Sequence, residues 1–162
     1  MAVGWENARM KIDIQQFAMA LLRDMSDAVV YADSKGAIGF WNAGACRIFG
    51  FTEAEALGQS LDIIIPANLR DRHWEGFRAT MRTGQSRYGA GDLLSVPAMR
   101  KDGSRISVEF TIVPFRAADG AMEGIAAVMR DVTARFNELR TLRRQVQEAS
   151  RGAGPQGTEP PA

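Results

Sequence analysis

Residues 101–112 read KDGSRISVEFTI, a turn followed by a β-strand pattern that is decisive for the fold. Lys101-Asp102-Gly103 has the composition of a tight turn. After the turn, apolar and polar residues alternate strictly. The apolar members of the alternation are Ile106, Val108, Phe110 and Ile112. A period of two places these four side chains on one face of a β-strand, and it predicts that this face is buried.

Four further segments have the composition of β-strands. They are residues 28–32, 38–41, 88–98 and 124–129. Turn residues join the first two as a hairpin, because Asp33-Ser34-Lys35-Gly36 lies between them. Pro97 interrupts the third segment, and Asp119-Gly120 forms a turn before the last. We therefore expect five antiparallel strands.

Helical periodicity occupies the rest of the chain. An apolar stripe near the N-terminus consists of Met10, Ile14, Phe17 and Leu21. Thr52 and Glu55 have the spacing of a capping box, and Pro66 begins a longer helix that ends near Thr83-Gly84. The final helix carries heptad-spaced Val132, Leu139 and Val146. This spacing fits a short coiled coil and a solvated amphipathic helix about equally.

The order of elements predicts an α+β fold, with the helices on one side of a five-stranded antiparallel sheet. Amphipathic helices flank it at both ends, and 162 residues suffice for one core. We expect an N-terminal helix within residues 1–26, the main domain over 27–132, an exit helix over 133–150 and a disordered tail over 151–162.

Composition narrows the classes of function. The net charge of +1 provides no basic field for nucleic acid or a membrane surface. No apolar run approaches the ~20 residues that a membrane span needs. The N-terminus lacks an export signal, and Cys46 is the only cysteine. We expect a cytoplasmic protein. One histidine and one cysteine do not form a closed zinc site, and we expect no enzymatic activity.

His73 is the only histidine, and it lies on the longer helix. The spacing of Leu69, His73, Phe77 and Met81 puts these residues on one apolar face, so the imidazole should point at the core. Gly76, one turn away, removes bulk beside it. Such a helix can supply an axial ligand to haem iron. The alternative is a core histidine with one buried hydrogen bond.

The ordered set of motifs resembles a PAS domain, a sensor module, over about residues 21–143. The matching segments are Asp33 with Gly36, Trp41-Asn42-Ala43, Gly50-Phe51, Glu55, Gly58, Lys101-Asp102-Gly103 and Asp131-Val132-Thr133. Some PAS domains bind a cofactor between the sheet and the longest helix, and others bind none and act as dimerisation modules. Flavin-binding LOV domains carry a reactive cysteine just after the glycine that corresponds to Gly58. Ser60 and its neighbours include no cysteine.

Arg70-Asp71-Arg72-His73 resembles the ligand motif of haem-binding PAS domains of the FixL type. The resemblance implies that His73 ligates haem b, with a diatomic gas or a redox change as the signal. The other implied contacts are Leu69, Gly76 and Phe77 beside the haem, Arg78 and Arg87 at the propionates, and Phe110 and Ile112 on the distal side. The arginine that contacts oxygen in the FixL type is replaced by Asp92. A carboxylate donates no hydrogen bond unless it is protonated, so oxygen sensing of that type is in question.

We expect the output of such a domain to pass through a partner, a self-dimer or a further segment of the protein. We expect a homodimer formed by the two terminal helices, because one small domain does not cover both apolar stripes itself. The downstream effector is not encoded in a recognisable motif. The second interpretation of function is a cofactor-free PAS module for dimerisation and protein–protein signalling.

Overall fold

A computed structural model describes residues 12–85 and 94–152 of the chain. The α-helices are α1 (Ile14–Asp24), α2 (Ala43–Phe49), α3 (Glu53–Ala56), α4 (Arg70–Thr83) and α5 (Thr133–Gly152). The strands are β1 (Ala28–Asp33), β2 (Ile38–Trp41), β3 (Leu94–Met99), β4 (Arg105–Arg116) and β5 (Met122–Asp131). Two 3₁₀ turns, Leu61–Ile63 and Ala67–Leu69, precede α4.

The strands form one antiparallel sheet in the order β2-β1-β5-β4-β3. The first and last strands in sequence are neighbours at its centre, where Ala28 lies opposite Met129 and Asp33 opposite Gly124. This pairing joins the N-terminal hairpin to the three C-terminal strands. The predicted α+β fold with a five-stranded antiparallel sheet is confirmed.

The alternation in β4 has the predicted effect on burial. Ile106 and Val108 are buried and Phe110 and Ile112 are half-buried, whereas Arg105 on the opposite face is exposed. The neighbouring strand β3 is described from Leu94 onward, so the predicted start near residue 88 lies outside the described residues.

The main core fills the space between the sheet and α2, with Trp41 and Phe49 as its largest fully buried side chains. Asn42 anchors this region although it is polar and only 2% exposed. Its side-chain oxygen accepts hydrogen bonds from the backbone nitrogens of Val29 and Ala45, both at 2.8 Å. Its Nδ2 donates to the carbonyl oxygens of Leu22 and Asp27, both at 3.0 Å. One side chain therefore caps α2 and fastens the connection into β1.

The helix that carries His73 starts later than predicted. Pro66 caps a 3₁₀ turn in which the nitrogen of Leu69 donates to the Pro66 oxygen, and the α-helix begins only at Arg70. The helix ends as expected, because Gly84 adopts a left-handed conformation with φ of 65°. The capping box of Thr52 and Glu55 is also present.

The terminal helices are amphipathic and largely uncovered. No side chain of α1 is buried, and α5 ends at Gly152, whereas the sequence predicted an end at residue 150. Most of the predicted tail and Met10 of the N-terminal stripe lie outside the described residues. Within the two described segments, no helix combines the length and apolar character required to span a bilayer.

Candidate functional site

The first turn of α4 is tied to the segment before it. The Arg70 side chain donates to the carbonyl oxygens of Ile65 at 3.3 Å and Asp62 at 3.0 Å. These bonds satisfy one backbone acceptor in the first 3₁₀ turn and one in the segment between the two turns, and they fix where the helix begins. His73 is one turn further along, and its position therefore follows from this junction.

The imidazole of His73 is half-buried among aromatic side chains. Its ring lies edge-on to Trp74 with the centroids 5.0 Å apart, and it is 6.1 Å from the ring of Phe77. Burial lowers the pKa of His73, and the carboxylate of Asp62 offsets part of that effect. The imidazole is consequently neutral at pH 7, the protonation state in which a ring nitrogen can ligate a metal.

One ring nitrogen of His73 has no role in the hydrogen bonding of the described fold. Nδ1 is buried, and no residue within 12–85 or 94–152 gives it a hydrogen-bond partner. Buried polar atoms are normally satisfied by the protein, by water or by a ligand. The alternative prediction is a core histidine with one buried hydrogen bond. Nδ1 does not make such a bond in the described fold.

The face of α4 that carries His73 packs on the sheet. Phe77, four residues later, is 8% exposed and packs in a cluster with Ala32 of β1 and Ile125 of β5. Half-buried residues of the same cluster are Leu61, Trp74, Met81, Ile112 and Met122. Since residues at i and i+4 share a helix face, His73 is directed toward the sheet side of α4, as the sequence predicted.

The inner face of the sheet is less completely covered at its β3 edge. Val96 lies opposite Val108, so both side chains project from the same face. Val108 is buried, but Val96 is 39% exposed. Phe110, two residues beyond Val108, is only half-buried. An apolar ligand could gain contact with side chains that the described protein leaves partly open.

The residues predicted to line the site are only partly brought together. Phe77 and Ile112 share the cluster under α4, whereas Phe110 packs with the main core. Leu69 is half-buried in the 3₁₀ turn before the helix. The two residues predicted as one distal surface are therefore divided between two clusters, although they project from the same face of β4.

Gly76 and Arg78 occupy the solvent side of α4. Both are exposed, and a Cβ at Gly76 would meet no atom within 4 Å, so the described fold does not require a glycine there. Arg78 has no salt bridge among the described residues. The remaining predicted contacts, Arg87 and Asp92, lie outside the described residues.

Metal binding by side chains alone is not supported within residues 12–85 and 94–152. No group of three or more histidine, cysteine, aspartate or glutamate side chains is close enough to hold an ion. A metal ligated by His73 would need its other ligands from a cofactor, as a haem macrocycle supplies them.

A concave region away from His73 is lined by cationic side chains but does not form an anion site. It lies between α2 and the β3–β4 turn and has a volume of about 670 Å³. Its three cations already have partners: Arg47 donates to the Met25 oxygen, Arg100 pairs with Asp131, and Lys101 pairs with Glu55.

Sequence reasoning missed two residues of the His73 site, Asp62 and Trp74. The indole nitrogen of Trp74 donates to Asp62 Oδ1 at 2.8 Å. The two are twelve residues apart and lie in different elements, so helical spacing could not pair them. The only signal was the presence of a tryptophan beside the histidine.

Comparison with known proteins gives one family over most of the chain. The family described as PAS domain matches residues 26–134. An uncharacterized protein of Azorhizobium caulinodans is 37% identical over 126 residues, which are 77% of this chain and 17% of that protein. The sensor protein FixL of Bradyrhizobium diazoefficiens is 28% identical over 128 residues, which are 75% of this chain and 25% of FixL. The oxygen sensor protein DosP of Escherichia coli is 28% identical over 130 residues, 80% of this chain and 16% of DosP.

The chain thus spans a quarter or less of the length of these relatives. Solved structures agree on the fold. The PAS domain of a Colwellia psychrerythraea protein has a TM-score of 0.66 at 21% identity and covers 75% of this chain and 99% of that one. An RNA-binding light-oxygen-voltage receptor has a TM-score of 0.66 at 18% identity, covering 91% of this chain and 41% of that one.

Proposed function

This chain belongs to the PAS domain family, and we propose that it is a haem-binding sensory domain in which His73 ligates the iron. The observation that carries the proposal is the neutral, half-buried imidazole on the sheet side of α4, whose Nδ1 lacks a partner in the described fold. The similarity to FixL and DosP, which are named as sensors, supports the same assignment.

The side chains around His73 fit haem in their chemistry. The imidazole offers one nitrogen ligand, and Phe77 and Ile112 provide apolar surface between α4 and the sheet. Arg78 is exposed and free to approach a propionate, and Arg87 is the second proposed partner. Leu69 and Phe110 complete the proposed surroundings, whereas Gly76 lies on the solvent side of α4 and is no longer part of them. Bound haem would supply an iron centre that responds to a diatomic gas or to redox state.

The protein's own contribution is to orient the ligand and to transmit a change of shape. The cluster that contains Phe77 also contains Ile112 of β4 and Ile125 of β5, so a displacement of α4 acts on both strands. At the end of β5, Asp131 accepts hydrogen bonds from Thr133 and Arg100, and Thr133 begins α5. These contacts form a continuous path from the His73 helix to the exit helix.

The residue at position 92 argues against oxygen as the specific gas. The position of Asp92 in the sequence corresponds to the oxygen-contacting arginine of the FixL type, and an ionised carboxylate is an acceptor only. We propose that the domain senses another diatomic gas or the redox state, and that a partner outside this segment receives the signal.

A titration with haem tests the proposal. The purified chain should bind one equivalent of haem and develop a Soret band, whereas His73→Ala should bind at least about tenfold more weakly and recover a ligated spectrum with added imidazole. Glu75→Ala, a change at an exposed position of the same helix, is the matched control and should behave like the unmodified chain. An unchanged spectrum in His73→Ala would exclude His73 as the ligand, and a colourless unmodified chain would exclude haem binding.

The second candidate function is a cofactor-free PAS module that signals through a homodimer. It is favoured by the exposed apolar side chains of the terminal helices, Ile14, Phe17, Leu21, Phe136, Leu139, Leu142 and Val146. A homodimer through these helices is compatible with either function. The absorption spectrum distinguishes them, because only the first function requires a coloured protein.

A further inference from the structure

The indole of Trp74 connects the His73 helix to two other parts of the fold. Its nitrogen donates to Asp62 Oδ1 at 2.8 Å, in the 3₁₀ turn Leu61–Ile63. Its outer ring edge lies against Gly36 in the β1–β2 turn, where an added Cβ would collide with the ring. Gly36 also has a φ of 83°, which glycine adopts without strain. Trp74 therefore locates α4 relative to both the turn and the first hairpin.

Asp62 is the common anchor of the two side chains that flank His73. Its carboxylate accepts from Trp74, and its Oδ1 lies 3.7 Å from Nε of Arg70. Its backbone oxygen accepts from the same arginine at 3.0 Å. His73 lies between residues 70 and 74 in sequence, so the backbone that carries the imidazole is held on both sides by one residue.

We propose that Asp62 and Trp74 are positioning residues that fix the His73 imidazole on the sheet side of α4. This inference rests on the proposed role of His73 as the haem ligand. A phenylalanine would supply a similar aromatic surface at position 74, but only tryptophan supplies the donor that the carboxylate uses. A hydrogen bond to an ionised acceptor is stronger and more directional than a neutral one.

The contacts of Trp74 with neighbouring rings extend this positioning into the site. Its ring lies edge-on to His73 at 5.0 Å and edge-on to Phe77 at 5.4 Å. Both arrangements depend on the direction in which the indole points, which the bond to Asp62 sets. Loss of that bond should let the indole rotate. The imidazole should then lose its packing contact with the indole and become more accessible to water.

Haem affinity and the pKa of His73 are the two measurements that test the inference. Trp74→Phe and Asp62→Ala should each weaken haem binding about threefold to tenfold, the effect of one hydrogen bond. Asp62→Asn keeps an acceptor for the indole and should stay within about twofold of the unmodified chain. The double variant Trp74→Phe with Asp62→Ala should be no weaker than the weaker single variant, because both remove the same bond.

The pKa of His73 is measured without haem, by nuclear magnetic resonance of the only imidazole in the chain. Trp74→Phe should raise this pKa toward its ordinary value because the ring gains water. Asp62→Asn should lower it further because a nearby negative charge is removed. The matched control is Trp41→Phe, which removes a different indole hydrogen bond, to the Phe51 oxygen at 3.2 Å, and should change neither quantity.

The outcomes separate this inference from the proposed function. If the unmodified chain binds no haem, the proposed function fails, and the pKa of His73 in Trp74→Phe alone decides whether Trp74 positions the imidazole. If haem binds and Trp74→Phe matches the unmodified chain in affinity and in the pKa of His73, the positioning role is overturned.

Discussion

At the residue scale, His73 should contribute to the pH dependence of the stability of the haem-free protein below about pH 7, because it is the only histidine and its ordinary pKa is 6.5. Burial lowers that pKa in the folded state. At a pH between the pKa of His73 in the folded state and its pKa in the unfolded state, the unfolded chain binds a proton that the folded chain does not. The free energy of unfolding is therefore highest above the unfolded pKa, and it decreases as the pH falls toward the folded one.

The corresponding prediction uses His73→Leu, which cannot titrate. The free energy of unfolding of the unmodified chain should decrease when the pH is lowered from 7 to 5.5, and this part of the decrease should be absent in His73→Leu. Denaturant titrations without haem at a series of pH values give the comparison. Parallel pH dependences for the two proteins would show that His73 titrates normally in the folded state.

Carboxylates affect stability in a separate, more acidic range. The hydrogen bonds from Lys101 and Thr52 lower the pKa of Glu55 from its ordinary 4.5 to about 2. The pKa of Asp102 is lowered by Ser104. A carboxyl group whose pKa is lowered by folding stabilises the fold at pH values above its pKa in the unfolded state. That contribution is lost as the pH falls through its pKa in the folded state. Their contribution is therefore lost only at pH values well below the ordinary pKa of His73.

At the scale of elements, side-chain hydrogen bonds hold the junction between β5 and α5. Oδ1 of Asp131 accepts from the Thr133 nitrogen at 2.9 Å, and Oδ2 accepts from Arg100 at 2.7 Å. The Thr133 hydroxyl in turn accepts from the Ser107 nitrogen at 2.9 Å. The start of the exit helix is thereby fastened to β4 and to the residue after β3.

Removing the Asp131 carboxylate should destabilise the first turn of α5. Asp131→Ala should cost about 1–2 kcal/mol, because it removes the hydrogen bonds from Thr133 and Arg100. Amide hydrogen exchange should become faster at Thr133 and in the next turn, while the centre of the sheet stays protected. Glu148→Ala, which removes only the exposed pair with Arg144, is the control and should leave exchange at Thr133 unchanged. Equal protection in Asp131→Ala would show that Asp131 does not hold the start of α5.

At the scale of the whole molecule, the two terminal helices present more apolar surface than one domain covers. Phe17 and Leu139 are both exposed, and they stand in the middle of their stripes. Each leucine-sized side chain buried in a dimer would contribute ~1.5–3 kcal/mol before the costs of association. A two-fold dimer would cover both stripes at once.

Light scattering tests this arrangement. The unmodified chain should have the mass of a dimer at micromolar concentration, and Phe17→Glu with Leu139→Glu should be a folded monomer. Gln16→Glu with Gln147→Glu adds the same number of carboxylates beside the stripes and should remain dimeric. A monomeric unmodified chain with an intact fold would leave α5 as a connector to another part of the signalling protein.

Local patterns in the sequence were sufficient to predict much of the fold. The alternation from Ile106 to Ile112 predicted the buried face of β4, and Thr52 with Glu55 predicted the capping box. The apolar spacing around His73 predicted that Phe77 faces the core. These features depend on residues within a few positions of each other, so the chain encodes them without reference to distant partners.

The tertiary structure alone decided which distant segments meet. The pairing of β1 with β5, the sharing of Asp62 by Arg70 and Trp74, and the packing of Trp74 on Gly36 all join residues far apart in sequence. It also moved the start of α4 from Pro66 to Arg70 and separated Phe110 from Ile112. Periodicity fixes the face on which a side chain lies, but only the packed chain fixes what that face contacts, because packing depends on the shape of every element at once.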